Sequence, residues 1–310
     1  MGEAGPELLD VLADGAKAEP EPGQELEEVW RAYQAVRETG ASPFAAAALV
    51  GSRVDRLGLA FAVGYPAALE QLLPGTPLPC ALCVTEDQGV QPRAMKTTLA
   101  RVGGRSELNG TKAFVTFGNL AKALVIAARV GEKPDGRPDL AIVRIPADRA
   151  GVTMHVHPAT PFAPEVPHAR LELRHVEVTA EERLPGDGYL RYVKPFRTVE
   201  DIHVLGAAAG YLIGVTRRAG GSAHLLGDLG AALMALDRLR AAPPLDARTH
   251  IVLHGVYRRM IDLIDGEEVA SLWQVAREEE RDRWRRDRPL LDVALKARLA
   301  RFERARQALS

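Results

Sequence analysis

The spacing of apolar residues changes twice along this 310-residue chain, and that change limits the folds it can adopt. In residues 24 to about 73, and again after Tyr192, apolar residues recur at steps of three and four, which is typical of amphipathic helices. Between these regions the chain has short apolar runs and alternating segments, which are typical of β-strands. The order helix, sheet, helix predicts an α+β protein.

The middle region contains several candidate strands separated by turn residues. Apolar runs occupy residues 81–84, 123–129 and 140–145, and residues 152–157 alternate strictly between apolar and polar. The pair Asn109-Gly110 predicts a tight turn between strands, because both residue types tolerate a positive φ. Several short strands with turns between them indicate a barrel or a sandwich.

The last third of the chain predicts a helical bundle, with helices near residues 199–216, 225–239, 250–264 and 290–309. In the first of these helices Gly206, Gly210 and Gly214 lie four apart on one side. Because glycine has no Cβ, this side permits the close approach of a neighbouring helix. The mixed-charge run at residues 278–288 predicts a solvated helix face.

The charge balance argues against some classes of protein. The formal net charge is -1, which is unlike that of a protein that binds nucleic acid or a membrane surface. Residues 1–22 lack the basic start and the apolar core of a signal peptide, and no apolar run reaches membrane-spanning length. We therefore expect a cytoplasmic protein.

The chain has two cysteines, Cys80 and Cys83, in the string Cys-Ala-Leu-Cys. This spacing is compatible with a redox pair or with half of a metal site. It is also compatible with two small apolar residues in a core strand. We favour the second interpretation and expect no metal centre, because no second cysteine pair or histidine cluster completes a zinc site.

Two strings in the middle region carry a family resemblance. Residues 83–86 are Cys-Val-Thr-Glu, and residues 108–116 are Leu-Asn-Gly-Thr-Lys-Ala-Phe-Val-Thr. Together they resemble the flavin-binding segment of acyl-CoA dehydrogenases, which has Thr-Glu before a Gly-Ser-rich loop and later Asn-Gly-x-Lys-x-Trp-Ile-Thr-Asn. The similarity extends from about Arg56 to Arg217. It implies an acyl-CoA dehydrogenase-like fold with an N-terminal helical domain (1–76, shorter than in the family), a middle antiparallel β-barrel (77–188) and a C-terminal helical bundle (189–310).

The resemblance also implies contacts to FAD, which the family binds between barrel and bundle. Carried over by position, Cys83, Val84 and Thr85 fall on the strand beside the flavin ring, and Thr85 matches the threonine that hydrogen-bonds it. Phe114 falls on the tryptophan that packs on the flavin, and Thr116 matches the hydroxyl residue at the N5 edge. A flat aromatic side chain suits a ring face, and a hydroxyl can both donate and accept a hydrogen bond.

The loop that meets the FAD pyrophosphate in the family departs from the family pattern. Its Gly-Ser-Asp string is replaced by residues 87–93, Asp-Gln-Gly-Val-Gln-Pro-Arg. Only Gly89 remains of the small residues, and Pro92 has no N–H to donate. Arg93 is the candidate for a charge-assisted phosphate contact in this loop.

The resemblance implies a catalytic base at Glu200. In members similar to isovaleryl- and long-chain acyl-CoA dehydrogenases, the base lies ten residues before the glycine that matches Gly210. Most other members carry the base in the last third of the bundle, where Glu267 and Glu268 follow Gly266 in this chain. Asp201 stands where the family generally has arginine, so the local charge is reversed.

We therefore predict a flavin-dependent acyl-CoA dehydrogenase-like oxidoreductase. It would oxidise an acyl thioester at Cα–Cβ, as in fatty acid metabolism, with FAD as the hydride acceptor. The alternative is a protein of the same fold without catalysis, acting as a partner subunit or as an acyl-thioester-binding module. The resemblance implies a homodimer or homotetramer, or a heteromer with a related subunit, and neither a nucleic-acid partner nor membrane insertion.

Overall fold

The computed structural model describes residues 8–14 and 24–310, which form two compact units. The helical unit consists of the described residues up to Gln71 together with Thr160–Glu165 and Thr198–Ser310. The sheet unit consists of Leu72–Ala159 and Val166–Arg197. The predicted order of helix, sheet and helix is confirmed. The three predicted domain ranges stay a proposal about how the chain is organised.

The helical unit contains ten α-helices in the described residues: α1 (Asp10–Asp14), α2 (Leu26–Glu38), α3 (Pro43–Ser52), α4 (Leu57–Leu72), α5 (Lys194–Arg218), α6 (Ala223–Arg240), α7 (Ala247–Ile264), α8 (Glu267–Val275), α9 (Glu278–Asp287) and α10 (Leu295–Leu309). The first residues of α5 lie in the sheet unit. Several starts follow ordinary capping rules: Ser42, Ser222 and Asp246 each accept a backbone N–H of the first turn. None of the described helices combines the length and the apolar character of a membrane span.

The contact expected from the glycines of α5 is confirmed. A Cβ on Gly210 would overlap the carbonyl oxygen of Ala48, and one on Gly214 would overlap that of Ser52. A Cβ on Gly206 would overlap the ring of Phe44. The neighbour is therefore α3, whose contacting residues recur at the same four-residue spacing. Every residue from Phe44 to Ser52 is buried as a result.

The mixed-charge run at residues 278–288 is not merely a solvated face, as its composition predicted. Glu280 is buried and accepts a hydrogen bond from Arg218 Nη2 at 2.5 Å. Asp287 is fully buried, and its carboxylate accepts the backbone N–H of Gly58 at 3.3 Å and that of Ala163 at 2.8 Å. These two carboxylates connect α9 to distant parts of the helical unit.

The sheet unit contains one sheet of seven strands: β1 (Cys80–Cys83), β2 (Thr98–Val102), β3 (Arg105–Thr116), β4 (Ala123–Glu132), β5 (Pro138–Pro146), β6 (Val152–Val156) and β7 (His168–Val178). The order is β1-β4-β2-β3-β7-β6, and β5 pairs with β4. Most pairs are antiparallel, as predicted, but β1 and β2 run parallel to β4. Inward side chains of six strands meet in one apolar cluster, so the sheet curls around its own core.

The tight turn predicted at Asn109-Gly110 is wrong. Both residues lie inside β3, where the pairing with β7 shifts between Leu108 and Gly110. Gly110 has φ +146, and a Cβ there would lie 2.6 Å from Thr97, so the glycine serves a bulge and a close strand contact. The turn between β2 and β3 is instead at Gly103 and Gly104, which both have positive φ.

Candidate functional site

The end of β1 provides the first part of the candidate site. Cys83 and Val84 are buried, and the Cys83 thiol belongs to the apolar core of the sheet. Burial raises the pKa of Cys83 to about 12, so the thiol stays protonated and is a poor nucleophile or metal ligand. The interpretation of Cys80 and Cys83 as buried strand residues is thereby confirmed.

A buried ion pair fixes the segment that follows β1 against β3. Lys112 is fully buried, and its Nζ lies 2.7 Å from Glu86 Oε1 and 2.7 Å from the carbonyl oxygen of Ala127 on β4. The Glu86 carboxylate also accepts the hydroxyl of Thr97 at 2.6 Å and the backbone N–H of Lys96 at 2.7 Å. Burial opposes ionisation of Glu86, but the hydrogen bonds from Lys112 and Thr97 outweigh it and lower the pKa of Glu86.

This ion pair explains why the Thr-Glu string and the Asn-Gly-x-Lys string each contain a charged residue. Glu86 and Lys112 are the charged members of the two strings, and they meet although they lie 26 residues apart. Next to the pair, the backbone N–H of Ala113 donates to the carbonyl oxygen of Thr85 at 2.8 Å. Thr85 is therefore held beside the strand that carries Phe114.

Phe114 lies at an irregular point of β3 and stays 44% exposed. The register between β3 and β7 shifts between Lys112 and Val115, which inserts one extra residue on β3. The Phe114 ring stacks on His168 with centroids 4.2 Å apart and planes 24° apart. The His157 ring is more distant: its centroid lies 5.9 Å from that of Phe114, and the planes of these two rings are 22° apart. Both imidazole planes therefore lie within 24° of the Phe114 plane, and His168 packs face to face with the phenyl ring.

Thr116 lies at the end of β3, directly opposite His168 on β7. His157 follows β6, and its backbone N–H donates to the carbonyl oxygen of His168 at 2.8 Å. Side chains of directly opposed residues share one face of a sheet. A row across neighbouring segments is thus formed by Thr116, His168 and His157. Phe114 lies next to this row, because its ring packs against both imidazoles.

The loop after Glu86 is closed on itself. Glu86 and Gly89 exchange both of their backbone hydrogen bonds, and Gly89 has φ +102. Arg170 donates to both oxygens of Asp87, at 2.8 and 3.1 Å. The next residues form a short 3-10 turn, Pro92–Ala94, on which Arg93 is exposed. The two amides of Glu86 and Gly89 are therefore already occupied by backbone oxygens.

Glu200 lies in the helical unit, on α5, and is partly buried. The next residue, Asp201, is buried and receives hydrogen bonds from Arg298, at 3.0 Å, and from Arg301. The Arg298 guanidinium lies 3.8 Å from the ring centroid of Tyr257. The reversed charge at Asp201 is thus matched by two arginines of α10, which fix α5 one residue beyond Glu200.

The two other candidate bases are in a more polar setting. Glu267 and Glu268 are exposed in the first turn of α8. The Glu268 carboxylate accepts the hydroxyl of Ser222, which caps α6. Carboxylates at the start of a helix are stabilised in their charged form by the helix dipole. Glu200 is the least exposed of the three carboxylates.

The residues present fit the ring of a flavin better than its pyrophosphate. A partly exposed phenyl ring backed by two imidazoles offers a flat aromatic surface, and Thr116 adds a hydroxyl at its border. The closed loop at residues 86–89 offers fewer backbone donors to a phosphate. Among residues 8–14 and 24–310, no group of three or more His, Cys, Asp or Glu side chains could hold a metal ion.

His157 and His168 were not among the residues singled out from the sequence. Each is a single histidine at the end of a strand, and nothing in the local string indicates that the two lie side by side. The partnership of Glu86 and Lys112 was also missed. A signal that could have revealed it was Lys112 itself, a lysine at a buried position of a strand, which requires a charged partner.

Comparisons with known proteins support the fold. Residues 81–176 match the family model described as Acyl-CoA dehydrogenase, middle domain. No curated protein matches the sequence significantly. The solved butyryl-CoA dehydrogenase of Megasphaera elsdenii is 15% identical with a TM-score of 0.69, and the match covers 96% of each chain.

Two further solved structures are similar over nearly the whole chain. Glutaryl-CoA dehydrogenase from Mycobacterium smegmatis is 16% identical with a TM-score of 0.68, covering 98% of this chain and 93% of that chain. FMN-bound TdsC from Paenibacillus sp. A11-2 is 16% identical with a TM-score of 0.61, covering 96% of each chain. Likeness at these identities establishes a shared fold alone.

Proposed function

We propose that this chain, which carries the middle domain and has the fold of the acyl-CoA dehydrogenase family, is a flavin-dependent oxidoreductase acting on an acyl thioester. The observation that carries the proposal is the exposed Phe114 ring at the irregular point of β3. By the family resemblance, Phe114 falls on the flavin-packing tryptophan. The buried Glu86–Lys112 pair holds the neighbouring segment in place.

The proposed reaction removes a proton from Cα of the thioester and a hydride from Cβ, which leaves a Cα–Cβ double bond. A bound flavin, expected to be FAD, supplies the acceptor for the hydride. Glu200 is the proposed base for the proton, since a partly buried carboxylate is better matched to proton abstraction than a fully solvated one. The clamp of Asp201 by Arg298 and Arg301 keeps this part of α5 rigid.

Other residues have proposed positioning roles. Thr116 would hydrogen-bond the N5 edge of the ring, and Thr85 would contact the ring beside Cys83 and Val84 through the backbone of that segment. Arg93 is exposed and is the proposed partner of a flavin phosphate. The closed loop at residues 86–89 supplies little else to that phosphate, so we expect FAD to be retained weakly.

The base is tested by single-turnover flavin reduction with acyl-CoA thioesters in the absence of oxygen. Glu200→Gln keeps size and hydrogen bonding but removes the proton acceptor, and we expect reduction to slow by at least about a hundredfold. Flavin content should not change. Glu267→Gln is the matched control, since Glu267 is an exposed carboxylate of the same unit. Loss of reduction in Glu267→Gln alone would transfer the role to α8.

A second function, binding without catalysis, is favoured by one observation. The pyrophosphate loop of the family is replaced by a closed loop in which Arg170 already neutralises Asp87. A chain of this kind could act as the partner subunit of a related flavoprotein or as an acyl-thioester-binding module. A purified protein that stays colourless after incubation with FAD, yet binds acyl-CoA in a calorimetric titration, would establish this function.

We further propose that the protein assembles as a homodimer or homotetramer, or pairs with a related subunit, in the cytoplasm. The exposed faces of α6 and α7 support assembly, since Met234 and Val252 are 44% and 49% exposed there. Multi-angle light scattering across micromolar concentrations provides the test. A monomer mass at every concentration would exclude the homo-oligomers.

A further inference from the structure

We propose that the outer edge of β6 binds the β6 of a second copy of this chain, so that two sheets join in an antiparallel pair centred on Met154. The inference goes beyond the proposed oxidoreductase function, because it uses none of the residues assigned to the flavin or to the base. It also adds an interface to the one proposed on α6 and α7. A second copy is favoured over another partner because β6 is complementary to itself.

The position of β6 in the sheet is the first argument. β6 ends the strand order and pairs with β7 alone. The outer edge of β5 is covered, since the backbone N–H of Arg144 donates to the carbonyl oxygen of Glu182 at 2.7 Å. On the same edge, the backbone N–H of Leu184 donates to the carbonyl oxygen of Ile142 at 2.8 Å. β1 is buried along its whole length. Among the described strands, β6 therefore has the edge that is open to a second chain.

The direction of the backbone groups of β6 is the second argument. The backbone N–H of His157 donates to the carbonyl oxygen of His168 at 2.8 Å, and the register between β6 and β7 is continuous from Val152 to Val156. Because backbone groups alternate in direction along an antiparallel strand, the odd-numbered residues of β6 face β7. The N–H and C=O groups of Met154 and Val156 therefore point away from the sheet, and no described residue bonds to them.

The third argument is that these outward groups match those of a second copy. An antiparallel pair centred on Met154 places this residue opposite its own copy, and it places Val156 opposite Val152 of the partner subunit. Each outward N–H then meets a carbonyl oxygen of the other copy. The N–H of Val152 already donates to the carbonyl oxygen of Arg149 at 3.0 Å, so it needs no partner across the pair.

The side chains of β6 also suit a second copy. The strand carries no Lys, Arg, Asp, Glu or Pro, and its pairing with β7 contains no bulge, so it lacks the features that ordinarily keep edge strands apart. Val152 and Met154 pack on the core of the sheet, whereas Val156, on the same face, is 58% exposed. In the joined sheet Val156 packs against Val152 of the partner subunit, and such β-branched pairs stabilise sheets. A neutral, apolar edge of this kind fits its own copy better than a charged segment.

The test is cysteine cross-linking of the full chain with copper–phenanthroline, read on non-reducing denaturing gels. Opposed residues of a hydrogen-bonded antiparallel pair have Cα atoms about 5.5 Å apart, which a disulfide can span. Met154→Cys should therefore cross-link to its own copy. Wild type should give no cross-link, because Cys80 and Cys83 are buried.

Thr153→Cys is the matched control for Met154→Cys. Thr153 is the more exposed of the two residues, so random collisions would cross-link it more readily. In the proposed register, however, its own copy lies diagonally across the pair at about 7–8 Å, beyond the reach of a disulfide. Thr153→Cys alone should therefore cross-link poorly.

A mixture of two single variants fixes the register. Thr153 lies opposite His155 of the partner subunit in a non-hydrogen-bonded pair, with Cα atoms about 4.5 Å apart. Thr153→Cys and His155→Cys, mixed before oxidation, should give a heterodimer that mass spectrometry of the joined peptides identifies. Both side chains are exposed, so this measurement does not depend on the reactivity of a partly buried cysteine at position 154.

A charge at the edge should weaken the pair. Adding Val156→Lys to Met154→Cys should raise the protein concentration needed for half-maximal cross-linking by about two- to thirtyfold, because both contacts between Val152 and Val156 are lost. Val102→Lys is the control, since Val102 is a valine at the end of β2 and is 51% exposed. It should leave cross-linking unchanged. Thermal melting of each variant identifies any that does not fold.

The outcomes decide the inference without reference to flavin, so it and the proposed function fail separately. Cross-linking of Met154→Cys and of the Thr153→Cys and His155→Cys mixture, but not of Thr153→Cys alone, supports the joined sheet. An equal yield from Thr153→Cys alone would show random collision and overturn the inference. The absence of cross-links from folded variants in both measurements would overturn it as well.

Discussion

Replacing Lys112 by methionine should strongly destabilise the sheet unit. The Lys112 side chain is fully buried and holds Glu86 on one side and the carbonyl oxygen of Ala127 on the other. Methionine fills a similar volume but supplies no donor. The change leaves the Glu86 carboxylate buried without its counter-ion, which is the costly way to break a buried ion pair.

The hydrogen bonds around the ion pair narrow the range expected for the loss of stability in each variant. Loss of one partner of a buried pair costs about 3–5 kcal/mol. After Lys112→Met, the carboxylate keeps the hydroxyl of Thr97 and two backbone N–H groups, so we expect the lower end, about 3 kcal/mol. Glu86→Gln leaves the ammonium of Lys112 buried with neutral partners, so we expect the upper end, about 5 kcal/mol.

The assay must report on the sheet unit itself. All three tryptophans, at positions 30, 273 and 284, lie in the helical unit, so tryptophan fluorescence does not report on the unfolding of the sheet unit. Native-state hydrogen exchange of peptides from β3 and β4, measured by mass spectrometry, reports the local free energy of opening. Peptides from α6 provide an internal reference in the same sample.

The double variant Glu86→Gln/Lys112→Met gives the decisive comparison. It removes both charges, so it should be less destabilised than the sum of the single variants by at least about 2 kcal/mol. If the two single effects add within about 0.5 kcal/mol, the residues do not interact in solution. The Thr-Glu and Asn-Gly-x-Lys strings would then need a structural reason other than this ion pair.

Three further predictions concern the helical unit and can be checked by thermal or urea unfolding followed by tryptophan fluorescence. Gly210→Ala should destabilise by about 1–3 kcal/mol through overlap with α3, whereas the control Gly227→Ala, on an open face of α6, should stabilise by about 0.5–1 kcal/mol; equal effects would contradict the packing described. Burial lowers the pKa of His203 to about 4, so the unfolded chain takes up a proton first, and stability should fall by about 3 kcal/mol as pH drops from about 6.5 to about 4. His203→Gln should show a shallower fall over that pH range, and an unchanged pH dependence would refute this. Asp287→Asn should weaken the hold on two buried backbone amides at a cost of about 1–3 kcal/mol and should speed hydrogen exchange in Thr160–Glu165; unchanged exchange there would count against the role of Asp287.

The general fold could be predicted because it depends on local periodicity. The alternation of the middle region and the three- and four-residue steps on both sides are properties of neighbouring residues, so they indicate strands and helices directly. The α5 glycines are a similar case, since their spacing alone indicates a close neighbour. Identifying α3 as that neighbour required the structure.

Features that depend on distant partners could not be predicted. Asn109-Gly110 has the composition of a turn, but the same pair serves a bulge when Thr97 of the adjoining segment approaches it. Glu280 looks solvated within a run of charges, and only its contact with Arg218, 62 residues earlier, shows that it is buried.

In the candidate site too, features set by local sequence could be predicted and features set by distant partners could not. The two strings that include Thr85, Phe114 and Thr116 could be aligned with a known pattern. The imidazoles that pack beside Phe114 could not, because His157 and His168 come together only through the pairing of β6 and β7. The roles toward a flavin remain predictions for all seven residues that the resemblance pointed to: Cys83, Val84, Thr85, Phe114, Thr116, Arg93 and Glu200.

The division of the helical unit into separate parts of the chain has a consequence for synthesis on the ribosome. α3 and α4 are made before the sheet, but α5, which covers the buried face of α3, is made only after the last strand. The sheet unit is nearly continuous in sequence, interrupted only by Thr160–Glu165. We therefore expect the sheet to fold first during translation. Until α5 has been made, the apolar residues of α3 stay exposed. We expect a ribosome-associated chaperone to bind that segment, Phe44 to Ser52, while it is uncovered.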